Sequence, residues 1–90
     1  MPDMPGFVYI LLDDLGKYYI GSCVNVTIRY KRHLAGSTPT TNRMNNPRVA
    51  LSQEYATIEE ARIVERKLKK LKRKDYINKI IQDGYIKIKP

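Results

Sequence analysis

The chain has 90 residues and a mass of 10.5 kDa, room for one small domain spanning 1–90. Its 42% apolar and 29% charged residues are those of a globular sequence, which excludes a collagen-like, mucin-like or wholly disordered chain. Seventeen Lys and Arg against nine Asp and Glu give a formal charge of +8 and a pI near 9.7, a balance that favours polyanionic partners.

Met1 to Pro5 hold no Lys or Arg, so no secretory leader is expected. The longest apolar run follows, Phe7-Val8-Tyr9-Ile10-Leu11-Leu12. A membrane helix needs about 20 such residues, so this run predicts a β-branched and aromatic strand and no membrane span. Asp13-Asp14-Leu15-Gly16 has the composition of a hairpin loop, and Lys17 to Cys23 reads as the second strand. Gly21 inside it marks either a bulge or a place where something approaches the backbone closely. Cys23 is the only cysteine, which excludes an internal disulfide and fits a reducing, cytoplasmic setting. One Cys and one His also fall short of the four ligands of a structural zinc site.

Asn25 predicts an N-cap for a helix running to about Ala35, with Gly36 as its stop. Ser37 to Pro47 is aperiodic and polar, hence a loop, and Arg48 to Tyr55 reads as a third strand. Thr57 with Glu60 is a capping-box signature. The helix it opens carries Ala61, Val64, Leu68 and Leu71 as an apolar stripe. Lys74 to Asp83 predicts a last helix with Ile77, Ile80 and Ile81, stopped by Gly84. Residues 1–60 hold six basic and six acidic side chains, so the whole excess of positive charge lies in 61–90, a basic helical third. It reads as a nucleic-acid track; the alternatives are a solubilising helix face and a basic helix lying on a membrane surface.

One position and two pairs ask for more than a structural account. On a helical projection Glu65 falls between Ile58 and the apolar stripe, while Arg62, Arg66, Lys69, Lys70 and Arg73 form an opposite, basic face. A carboxylate on the core side needs a cation or strong donors. It is therefore either an ion pair with a nearby Arg or a ligand for a hard metal ion. Arg29 and His33 stand four apart on one helix face, a planar cationic fork beside a group that titrates near neutrality; surface Arg and His at this spacing are also common. Lys31 and Arg32 add charge. Tyr9 and Tyr19, two of seven tyrosines, fall on the first hairpin, where packing alone would account for either one.

Taken together these residues resemble the GIY-YIG nuclease superfamily. Val8-Tyr9-Ile10 stands in place of its first triplet, with Phe7-Val8 where the family has Gly-Ile. Tyr19-Ile20-Gly21 matches the second, and Arg29-Tyr30-Lys31-Arg32-His33 matches its Arg-x-x-x-His helix. Glu59-Glu60-Ala61-Arg62-Ile63-Val64-Glu65 resembles the helix with a single catalytic glutamate. The likeness is to small, stand-alone, single-domain members.

The resemblance implies an α+β fold, a three-stranded antiparallel sheet flanked by helices in the order β-β-α-β-α-α. It implies a metal-dependent endonuclease hydrolysing phosphodiesters in DNA, in repair or recombination. Glu65 would hold one Mg²⁺ (or Mn²⁺), Arg29 would neutralise the phosphate, and Tyr19, with Tyr9 or His33, would take a proton from the attacking water. Lys31, Arg32, Arg62, Arg66, Lys69, Lys70 and Arg73 would contact nucleic acid. A partner protein could supply specificity, since the chain has no room for a recognition domain. The alternative is a domain that keeps the fold, binds nucleic acid and does not cut; retention of both Arg29 and Glu65 argues for cutting. A C-terminal asparagine used by some members has Asn78 as its nearest counterpart, with no role assigned.

Overall fold

The computed structural model describes residues 4–35, 44–71 and 73–90. Its elements are β1 (Gly6–Leu12), β2 (Tyr18–Cys23), α1 (Val26–Leu34), β3 (Arg48–Tyr55), α2 (Ile58–Leu71) and α3 (Lys74–Asp83). The strands form one antiparallel sheet in the order β2-β1-β3. This is the expected α+β arrangement. The predicted stop at Gly36 and most of the predicted loop lie outside the described residues.

The unbroken apolar run forms the central strand because β1 is covered on both faces. Val8 and Ile10 face one side, where they meet Leu51 of β3, Ala61, Val64 and Leu68 of α2, and Ile77 and Ile80 of α3. Tyr9 and Leu11 face the other, against Cys23 with Val26 and Tyr30 of α1. Fully burying an aliphatic side chain of this kind contributes about 1.5–3 kcal/mol, so β1 is the main source of apolar stabilisation on both sides. An irregularity between Ile10 and Leu11, where β1 passes from Leu51 to Val49 as partner, leaves Ala50 as an extra residue on β3.

Local signals set the element ends. Asp13 is buried in the hairpin turn, where its carboxylate accepts from the backbone N–H of Leu15 (2.9 Å), Lys17 (2.7 Å) and Asn45 (3.1 Å). Burial would raise its pKa, but these three donors together hold it below the ordinary aspartate value. The turn is thereby tied to the segment entering β3. The Asn25 side chain accepts from Ile28 N–H at 3.1 Å, capping α1, and Thr57 Oγ1 accepts from Glu60 N–H at 3.2 Å, capping α2. Glu59 and Glu60 in the first turn of α2 and Lys69 and Lys70 in its last complement the helix dipole. Gly84 ends α3 with φ of 80°, a left-handed conformation that favours glycine.

Two features differ from the sequence expectation. Leu71, placed on the α2 stripe, is 38% exposed, because it is the last residue of α2 and the stripe ends with buried Leu68. Ile86, beyond the last predicted helix, is buried. Gln53 of β3 holds it there, accepting from Ile86 N–H at 2.7 Å and donating to its carbonyl at 3.1 Å.

Candidate active site

The hairpin register decides where the tyrosines go. Tyr9 pairs with Gly21 and Leu11 with Tyr19, so Tyr9 and Tyr19 are diagonal neighbours on one face rather than directly opposite. Their ring centroids lie 6.2 Å apart at an interplanar angle of 29°. Gly21 makes this possible. A Cβ at that position would clash with the hydroxyl end of the Tyr9 side chain, so the close approach foreseen at Gly21 is that of a neighbouring side chain, and the β1–β2 pairing has no bulge there.

Across the bare backbone of Gly21 the Tyr9 hydroxyl reaches α1, where it lies 2.8 Å from Nε2 of His33. Both are almost fully buried, at 2% and 1% exposure. The His33 ring also stands edge-on to Tyr19, centroids 4.7 Å apart. Burial, then the charge of neighbouring Tyr19, pushes the Tyr9 phenol well above its ordinary value, with Arg29 opposing. Burial, then Arg29, pulls His33 below the usual histidine value. The pair is therefore a neutral phenol and a neutral imidazole, and in the Nδ1–H tautomer Tyr9 donates to Nε2.

Arg29 sits one turn before His33 on α1, half-buried, and makes no ion pair with a described residue. Its charge lowers the pKa of Tyr9, His33 and Cys23 alike, so it faces the tyrosine–histidine cluster. That leaves a guanidinium fork with no ion pair to a described residue near Tyr9 and His33, a group suited to a phosphate.

Glu65 arrives from the opposite side of the sheet. Its side chain is 18% exposed; Oε2 lies 2.6 Å from Lys69 Nζ, and Oε1 accepts from the Ser22 hydroxyl. Because Ser22 follows Gly21 on the edge strand, the carboxylate is held against the backbone next to the glycine that pairs with Tyr9. The ion-pair partner is Lys69 and not an Arg. This corrects the helical projection, which set Lys69 on the opposite face; one turn along α2, it lies beside Glu65. Ser22 was missed as a site residue. Its signal was its place after Gly21, where strand alternation turns it toward the α2 side.

The basic residues divide. Arg62 and Arg66 line an open groove of about 600 Å³ with Ser22, Glu59, Ile63 and Glu65. Lys69 and Arg73 line a second, of about 490 Å³, along β2. Lys31, Arg32 and Lys70 are exposed and line neither. Asn78 accepts a hydrogen bond from the Tyr18 hydroxyl.

No cluster of three or more His, Cys, Asp or Glu occurs among the described residues. The donor set at Glu65 is one hard carboxylate, held by Lys69 and Ser22, beside an open groove. That fits Mg²⁺, which binds through one or two carboxylates and takes its other ligands from water and substrate phosphate.

The fold and motif spacing are together those of a nuclease-type domain, whose substrate class is nucleic acid. The family model of the GIY-YIG catalytic domain matches residues 5–80, and the chain belongs to that family. Comparison with curated proteins, and separately with solved structures, gave no match. No helix among the described residues is long and apolar enough to cross a membrane.

Proposed function

We propose that the protein is an endonuclease that hydrolyses phosphodiester bonds in DNA with one divalent ion, Mg²⁺ or Mn²⁺, held by Glu65. The observation that carries this reading is convergence. Tyr9, Tyr19, His33 and Arg29 gather on one side of Gly21, and Glu65 approaches from the other, tied to Ser22. Bound, the ion would supply Lewis-acid stabilisation of charge on the phosphate.

The chain's own residues divide the remaining work. Arg29 neutralises the non-bridging oxygens, where its fork adds orientation to charge. Tyr19, half-buried and less enclosed than Tyr9, takes the proton of the attacking water and passes its own phenolic proton to solvent. As the new bond to phosphorus forms, the bond to the leaving oxygen breaks and that oxygen takes a proton from water. Tyr9 stays a phenol and, hydrogen-bonded to neutral His33, positions Tyr19 through the ring contacts that both make with it. Arg62, Arg66, Lys69 and Arg73 carry the flanking strand along the two grooves. The reading suits DNA repair or recombination. Free, buried Cys23 supports a cytoplasmic setting, and a partner protein adds specificity.

One observation favours the alternative, a domain that binds without cutting: the Lys69 ammonium already sits on Glu65. Incubation of the purified protein with labelled duplex, nicked and branched DNA, in Mg²⁺, in Mn²⁺ and in EDTA, separates the two. The endonuclease reading expects cleavage with either metal and none with EDTA. Retained binding with no cleavage of any substrate would support the alternative.

A further inference from the structure

The second groove runs beside the proposed site, between β2 and the α2–α3 pair. Its floor is apolar, since Leu68 and Ile77 are buried and Ile20 is half-buried. Its open side carries Lys69, Arg73 and Lys74, all exposed, and no acidic residue lines it. Tyr18 forms one wall. The Tyr18 hydroxyl donates to Asn78, and the Lys74 ammonium lies over the ring, 5.9 Å from its centroid, on the face that a stacked base would take over from it.

We propose that this groove receives an unpaired nucleobase next to the scissile phosphate. The inference rests on the nuclease reading and narrows its substrate to DNA with a single-stranded nucleotide at the cut, such as a flap, overhang, gap or junction. Three arguments carry it. The volume, about 490 Å³, suits one small planar group, and a duplex cannot enter it. A paired base presents only its edge to a protein groove, whereas an unpaired one offers its face for stacking on a tyrosine. The charge pattern matches a base with phosphates on either side: Lys74 makes no ion pair with a described residue, and Lys69 and Arg73 stand in solvent-exposed pairs with Glu65 and Asp75 that a phosphate can exchange. Tyr19 and Lys69 line the same groove, and Lys69 pairs with Glu65, so its occupant lies next to the proposed reacting phosphate. Stacking of this kind tolerates any base, so the preference is for strand structure and not for sequence.

The test compares two DNA hairpins in EDTA, each with a two-nucleotide single-stranded tail, one tail of thymidines and one of abasic residues with the same phosphates. Equilibrium binding by the wild-type protein should be about tenfold tighter for the thymidine tail, the scale of one base–aromatic stack. Tyr18→Leu should remove that difference and leave abasic-tail binding unchanged, while Tyr18→Phe, which keeps the ring and loses the Asn78 bond, should preserve it. Equal wild-type affinity for the two tails would overturn the groove assignment, as would a preference that survives in Tyr18→Leu. Should Tyr18→Leu fail to fold, the wild-type comparison still decides. Either failure leaves the nuclease reading standing if blunt duplex is bound and is cut in Mg²⁺. Absence of binding to any DNA would overturn both.

Discussion

A methyl group at residue 21 would occupy the space now filled by the hydroxyl end of the Tyr9 side chain, so the link from β1 to His33 depends on a missing side chain. Gly21→Ala should therefore cost about 1–3 kcal/mol, the usual scale of overpacking, and should displace Tyr9 from His33. Urea unfolding would measure the first effect and cleavage assays the second. His33 gives a pH signature. Its folded-state pKa lies below the ordinary 6.5, held there by burial and by Arg29. As pH falls below about 6.5 the unfolded chain takes up a proton that the folded chain refuses, so stability must fall with it. Urea midpoints at pH 7.5 and 5.5 should show that drop, and His33→Phe should flatten it. It is the only histidine, so the assignment is clean.

At the scale of elements, most of the fold was legible because the punctuation is chemical. Asp13 to Gly16, Asn25, Thr57 with Glu60, and Gly84 each cap or turn the chain through bonds that a residue of that type makes locally. What escaped was non-local. Nothing near Gln53 announces that its amide will clasp Ile86, 33 residues on, and nothing in the period of α2 says that the helix ends at Leu71. The site followed the same division. Strand alternation permitted Tyr9 and Tyr19 to share a face, but the diagonal offset came from the hairpin register, and the pairing of Glu65 with Ser22 needed the docking of α2 on the edge strand. α2 also carries a binding prediction. Arg62 and Arg66 line the groove beside Glu65. Replacing both with Ala should reduce the log–log salt slope of duplex binding by about 1.8, at ~0.9 per phosphate contact. An unchanged slope would move the DNA track to another face.

For the whole molecule, charge and chemistry are arranged in series. Residues 1–60 are neutral overall and supply the tyrosines, Arg29 and His33, while 61–90 supply the positive field and Glu65. Binding and cutting should therefore be separable by single substitutions. Glu65→Gln is the sharpest case. The Glu65–Lys69 pair is partly exposed, Lys69 at 51% and Glu65 at 18%, and such pairs contribute up to about 1 kcal/mol. Its loss should leave stability within about 1 kcal/mol of wild type, and the basic track stays intact. The measurement that bears most directly on the account is the cleavage rate of Glu65→Gln in Mg²⁺, on a protein shown by unfolding and by DNA binding to be native. The account predicts a folded protein that binds DNA and does not cut; cleavage at the wild-type rate would contradict it.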